Sequence, residues 1–230
     1  KENADNLINK NYISHPQNSS NSSYYSKKSI LYNDLIIDFK KTAFEIHNQF
    51  RAFTFRNYQL PKYENWNIIK SVITNQKSNL KAGIKISEDT SSFTISTIDY
   101  DLKLIKDYYP LLWQSSRKND LENLNLSLKN ISNVDLKNKK GWNAIIIACY
   151  NGSFETTVKL IEEGANPNSC NFKGTSALMY SFDFYTRSKN LEIFKFLLKC
   201  NADRYLKDYK NKSLLDYIIE RGFKELEIFF

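Results

Sequence analysis

The feature that most constrains this 230-residue chain is a self-similar spacing in its second half. Gly141 and Gly174 stand thirty-three residues apart, and each opens a run of similar pattern. The run from Asn138 reads NKKGWNAIIIACYNGSFETTVKLIEEGANPN, and KGTSALMYSF begins the next. A fixed period of this length is the mark of one supersecondary unit repeated along the chain. Within a unit, Ile145, Ile146 and Ala148 fall on one helix and Val158, Leu160 and Ile161 on a second. One such pair cannot bury both apolar stripes, but stacked neighbours can. Gly152 and Gly164 are placed where the two helices end and the chain reverses with positive φ.

These residues resemble the ankyrin pattern. Gly141 opens the unit, Ala148 and Cys149 fill its small-residue pair, and Gly164–Ala165–Asn166 closes it. In the following unit Asn201–Ala202–Asp203 takes the closing place, and the unit is longer by four residues because Phe182–Asn190 reads as extending the connection between helices. YPLLWQSSRKNDLENLNLSLKN before these units and NKSLLDYIIERGFKELEIFF after them read as degenerate end repeats, which terminal positions favour. About four units are expected, over 105–137, 138–170, 171–207 and 208–230. The fold class expected is α+β: a small helix-plus-antiparallel-strand unit, residues 1–104, followed by an all-α ankyrin-repeat solenoid, residues 105–230.

In the ankyrin pattern, the position before the Thr of TPLH lies at the tip of a β-turn finger. Tyr109, Trp142, Thr175 and Lys212 fill it here, so Tyr109 and Trp142 are expected to project outward side by side. Tyr150 and Tyr180, on the first helices of adjacent repeats, are expected to wall the same surface. Lys139 and Lys140 precede Trp142, and Lys173 precedes Gly174. Rings with nearby cations can stack a base and hold a diphosphate. The same residues equally suit a protein-binding face, or packing of Trp142 within the molecule.

The first half is organised differently. Residues 14–29 hold seven serines and read as a loop. In KKTAFEIHNQFRAF, Phe44, Ile46, Phe50 and Phe53 recur at helical spacing, with Thr42 or Asp38 as the cap. NWNIIKSVITN, AGIKIS and SSFTISTIDY alternate as strands, with SEDTS as a turn between the last two.

This order, a helix TAFEIHNQFRAF, an exit FRNYQLP and then the strands, resembles the C-terminal portion of formyltransferases of the methionyl-tRNA formyltransferase superfamily, in particular the sugar N-formyltransferases. The resemblance implies formyl transfer from 10-formyltetrahydrofolate to the amine of a dTDP-amino sugar, in a cytoplasmic homodimer joined through the strand unit. It implies that Tyr58, with Phe55 packed beneath it, contacts the nucleotide-sugar. The family's catalytic Asn, His and Asp have no match here. His15 and His47 sit in the wrong contexts, so the resemblance places catalysis and the folate site upstream of Lys1. Arg51 and His47 read as structural groups of the helix.

Composition excludes several other classes. The net charge of +8 divides evenly, with 14 basic and 10 acidic residues in 1–104 and 19 and 15 in 105–230. That is not the concentrated stripe of a nucleic-acid binder, which counts against a tRNA-directed formyltransferase. No apolar run reaches membrane-helix length, and the polar opening KENADNLINK does not read as a secretory leader. Cys149, Cys170 and Cys200 lack metal-site spacing and read as buried thiols in a reducing compartment. The reading that emerges is the C-terminal part of a sugar N-formyltransferase whose ankyrin array holds an auxiliary nucleotide-sugar site. The alternative is an ankyrin protein-interaction module without a small ligand.

Overall fold

Thr42 starts the first element for a local reason. Its hydroxyl accepts the Glu45 N–H while the Glu45 carboxylate accepts the Thr42 N–H, a reciprocal cap. Helix α1 then runs Ala43–Phe53 and buries Ala43, Ile46 and Phe50, leaving Phe44 exposed. These features come from a computed structural model that describes residues 37–56 and 59–230. The serine-rich stretch 14–29 and Tyr58 lie outside the described residues.

Five antiparallel strands follow: β1 Lys62–Tyr63, β2 Trp66–Ile73, β3 Lys85–Glu88, β4 Ser92–Ile95 and β5 Leu102–Lys106. The sheet order is β1-β2-β5-β4-β3. β5 lies at its centre, with Leu102 opposite Ile73 and Ile95, and Leu104 opposite Ser71 and Phe93. Period-2 alternation puts these apolar residues on one face, where Ile46 and Phe50 of α1 and Ile68 of β2 close a small core. This central strand crosses the boundary expected at residue 104. The turn expected over SEDTS is shorter than read, because Ser87 and Glu88 belong to β3; it is held by the Asp89 carboxylate, which accepts the N–H groups of Ser91 and Ser92.

The edges that were expected to drive pairing of two chains are blunted. β1 has only two residues. β3 is irregular in register between Lys85 and Ser87, and Lys85 is ion-paired to Glu64 and Glu88. Shortness, a register break and edge charges all oppose strand addition.

Two residues, Asp107 and Tyr108, connect β5 to the helices. Helix pairs then follow in order: α2 Tyr109–Lys118 with α3 Leu121–Leu128, α4 Ala144–Asn151 with α5 Phe154–Glu162, and α6 Ala177–Ser188 with α7 Glu192–Lys199. The last pair is α8 Leu214–Glu220 and a 3-10 turn, Lys224–Phe229. α2 packs on α4 and α4 on α6, while α5 packs on α7. One continuous core runs through all four pairs, from Leu112 and Leu124 through Ile145, Leu160, Leu178, Phe194 and Leu197 to Ile218 and Leu226. The expected helix ends hold, with Gly152 at φ 79° and Gly164 at φ 86°. Asn201 takes the second role at φ 57°, a left-handed geometry that Asn tolerates.

One expectation changes here. The four extra residues of the third unit do not lengthen a connection. They lengthen its first helix, since α6 has 12 residues where α4 has eight. Residues 37–230 cluster as one compact unit, so the strands and the helix pairs form a single body.

Candidate functional site

Three turns precede α4, α6 and α8, and each is built on one Asn or Asp side chain. Asn138 Oδ1 accepts the N–H groups of Lys140 and Trp142 at 2.9 and 3.1 Å. Asn171 Oδ1 does the same for Lys173 and Thr175 at 2.8 and 3.0 Å, and Asp208 Oδ1 for Lys210 and Lys212 at 2.8 and 3.2 Å. Asx residues favour such turns because the side chain stands in for a backbone acceptor. Each turn also closes with a backbone pair across its neck, Asn138 to Trp142, Asn171 to Thr175 and Asp208 to Lys212. These are the fingers, and Lys139, Lys140 and Lys173 are exposed on them.

Trp142 leaves the first finger toward the helices. Its ring centroid lies 4.8 Å from that of Tyr180 and 5.1 Å from that of Tyr150, and the two tyrosines are 5.9 Å apart. Three of the expected rings therefore meet. Trp142 is not the outward ring that was expected, however. It is half-buried and packed on the array's core, which is the intramolecular contact left open in the sequence. The edge-to-face contacts of Tyr150 with Trp142 and Tyr180 suit the electrostatics of aromatic rings.

Tyr109 is a correction. It stands on α2, is only 5% exposed, and packs on Trp113 with a centroid distance of 6.0 Å. Its hydroxyl accepts the Asn133 N–H at 3.1 Å. No finger precedes α2, because β5 ends two residues before it, so the register counted from the repeat pattern does not apply to the first unit.

Two further residues complete the ring cluster, and neither was singled out in the sequence. Asn171 Nδ2 donates to the Tyr180 hydroxyl at 2.8 Å, and burial pushes that phenol's pKa up, so it stays protonated. The Arg187 guanidinium lies 4.5 Å from the Tyr150 ring centroid and donates to the Tyr150 carbonyl at 2.7 Å. Arg187 belongs to the added turn of α6, where Asp183 pairs with it at 3.4 Å. That i,i+4 spacing was a helix signal available in the sequence. The arrangement is a small, partly exposed aromatic platform edged by a guanidinium and a fixed amide. It suits apolar and planar groups, not proton transfer.

The first half shows no comparable site among the described residues. Phe55 is 56% exposed and pairs with Gln59 through an isolated antiparallel bridge. His47 Nδ1 meets Ser71 Oγ at 2.9 Å, and Arg51 lies within reach of Asn48 at 3.5 Å, as structural groups of the helix would. The described residues include no group of three or more His, Cys, Asp or Glu arranged to hold a metal ion. Nor is any described helix long and apolar enough to cross a membrane. Cys149, Cys170 and Cys200 are unpaired, and full burial pushes the Cys149 thiol up to about 12, which leaves it unreactive. Cys170 and Cys200 are half-buried, not fully buried as expected.

No curated protein matches the chain. A family model for ankyrin repeats matches residues 112–225 in three copies. That span starts beyond the strands, so it lends no support to the formyltransferase resemblance of residues 1–104. With the three Asx-built fingers and most of the paired helices and their shared core falling inside it, residues 112–225 are ankyrin repeats.

Proposed function

We propose that the chain acts as a protein-interaction module, in which the ankyrin array presents its fingers and first helices to a partner. The observation that carries this reading is the meeting of Trp142, Tyr150 and Tyr180, edged by Arg187, on the finger side of the array. Trp, Tyr and Arg are the residue types that most often dominate binding energy at protein interfaces. Repeats inside one continuous core hold such a patch rigid, which lowers the entropic cost of binding.

A second reading is favoured by the same rings. A planar base on Trp142 with a diphosphate near Lys140 and Lys173 is the auxiliary nucleotide-sugar site of the sequence reading. The parent activity, formyl transfer to a dTDP-amino sugar, rests on the resemblance of residues 1–104 alone.

One experiment separates the two. A displayed peptide library is selected on the full chain, and the selected peptides are titrated against wild type, Trp142→Ala and Arg187→Ala. The interaction reading expects peptides that lose roughly thirtyfold with Trp142→Ala, the equivalent of about 2 kcal/mol at an aromatic anchor. Because Trp142 packs on the core, the half-exposed Arg187 serves as the less disruptive variant, and its urea midpoint is compared with that of wild type. Peptides that bind all three forms equally would remove the ring cluster from the interface. Calorimetric heat with dTDP or a dTDP-sugar, lost in Trp142→Ala, would instead establish the nucleotide-sugar reading.

A further inference from the structure

The fingers carry a second pattern, distinct from the ring cluster. Beyond their shared Asn or Asp, they read Lys139–Lys140, Phe172–Lys173 and Tyr209–Lys210 at the two tip positions. The hydrogen-bond scheme is identical in all three fingers, so Lys140, Lys173 and Lys210 occupy equivalent places on successive turns. All three are exposed. Between them, Phe172 and Tyr209 are 71% and 64% exposed. Large apolar rings held in water at this level commonly mark a contact surface.

The row is rigid across fingers as well as within them. Phe172 lies against Gly141 of the preceding finger, so closely that a Cβ there would fall 2.6 Å from the ring. The Tyr209 N–H donates to the Lys173 carbonyl at 2.8 Å, which ties the third finger to the second. A Cβ on Gly174 would fall 3.0 Å from the Asp208 Cα, so this glycine permits the close approach. Each ring also holds an ammonium group near its face. Lys137 Nζ is 5.8 Å from the Phe172 centroid, and Lys173 and Lys210 Nζ are 5.5 and 5.7 Å from that of Tyr209. The one carboxylate in the three turns, Asp208, is 8% exposed and committed to backbone N–H groups and the Tyr217 hydroxyl.

We infer that this finger row is a docking ridge for an acidic peptide segment of a partner protein, one that alternates carboxylates with apolar side chains. Charge complementarity selects the acidic partner: ammonium groups recur along the row, and the local carboxylate is turned inward. The spread of charge selects a peptide over a nucleic acid: residues 105–230 hold 19 basic against 15 acidic residues, not the concentrated basic stripe that a nucleic acid needs. The partner's carboxylates meet Lys140, Lys173 and Lys210, and its apolar side chains cover Phe172 and Tyr209. This inference rests on the interaction-module reading and adds the partner's chemistry to it.

The test titrates three labelled twelve-residue probes into the full chain by fluorescence anisotropy, at low and at high salt. One probe repeats Glu-Glu-Leu, one repeats Lys-Lys-Leu, and one is an oligothymidylate. The Glu-Glu-Leu probe is expected to bind best, and to weaken about tenfold on raising salt, as an encounter between exposed charges does. The triple variant Lys140→Gln/Lys173→Gln/Lys210→Gln is expected to lose about tenfold in its affinity while unfolding as wild type does, since these side chains stand in solvent. The triple Lys→Glu reversal is expected to abolish binding. Tighter binding of the oligothymidylate, or equal binding of the Glu-Glu-Leu probe by the Lys→Gln variant, would overturn the proposal. The failures are distinguishable: peptides selected through Trp142 would still support an interaction module, with a partner that is not acidic.

Discussion

Asp208 occupies in its finger the place that Asn138 and Asn171 occupy in theirs, and the exchange puts a charge at a buried position. Burial alone would raise its pKa. The Tyr217 hydroxyl at 2.6 Å and the N–H groups of Lys212 and Lys210 outweigh burial and hold the carboxyl below its usual range. The same contact, felt from the other side, pushes the Tyr217 phenol up to about 12. Asn171 and Tyr180, nine residues apart like Asp208 and Tyr217, make the equivalent contact with the donor reversed. A folded-state pKa below the unfolded one gives stability that is complete above the unfolded value of about 3.9 and is lost as pH falls through the folded value. Asp208→Asn keeps both backbone contacts and can donate to Tyr217, so near pH 7 it is expected to unfold within about 1 kcal/mol of wild type. Below about pH 4 its stability is expected to fall less steeply than that of wild type. Urea midpoints at pH 7 and pH 3 provide the comparison, and parallel pH profiles would show that Asp208 carries no such linkage.

The added turn of α6 shows how one element can reshape its neighbour. Phe184 on it fills the space over Gly152, so that a Cβ at Gly152 would come 2.1 Å from the ring, and Arg187 covers Tyr150. The third repeat is thereby clasped onto the end of α4. Gly152→Ala meets both this ring and the left-handed backbone at φ 79°, whereas Gly164→Ala meets only the backbone, with no heavy atom within 4 Å. The backbone term is about 1–2 kcal/mol for a single residue. Gly164→Ala is therefore expected to cost about that much, and Gly152→Ala about 1–3 kcal/mol more, the usual penalty for overpacking. Equal costs in urea unfolding would show that Phe184 swings aside freely. The helix ends themselves were legible, because Gly152 and Gly164 stand where the repeat pattern needs the chain to reverse with positive φ. The clasp was not. It joins residues 150 and 187 across two repeats, and periodicity within a segment carries no information about such a contact. Tyr109 was misplaced for a related reason. Its register was counted from a finger that the first repeat lacks, because β5 runs almost directly into α2.

The same direct connection decides how the whole molecule holds together. The strand unit and the helix pairs each own a core that the alternation and the repeat period had marked, but their joint is made by residues distant in sequence. Arg56 donates to both oxygens of Asp107, at 3.1 and 3.2 Å, and its guanidinium lies 4.5 Å from the Tyr109 centroid on α2. Asp107 also accepts the Tyr109 N–H at 3.2 Å and donates its own N–H to the Asn67 carbonyl on β2 at 2.8 Å. Tyr108 packs on Trp66, with a centroid distance of 5.0 Å, and donates to the Thr90 carbonyl. With Asp107 and Tyr108 both buried, this two-residue connection cannot act as a free hinge. The sheet and the array should therefore melt together. A protein unfolding in urea is expected to give coincident transitions by far-ultraviolet circular dichroism and by tryptophan fluorescence, since Trp66 reports on the sheet and Trp113 and Trp142 on the array. Arg56→Ala leaves the buried Asp107 carboxylate without its cation and is expected to destabilise by about 1.5–3 kcal/mol, the range for hydrogen bonds to charged groups. Adding Asp107→Asn removes the stranded charge, so the double variant should lose less than the two single losses summed. Separate transitions in the wild type, or strict additivity in that cycle, would mean that the joint couples the two halves only through chain connectivity.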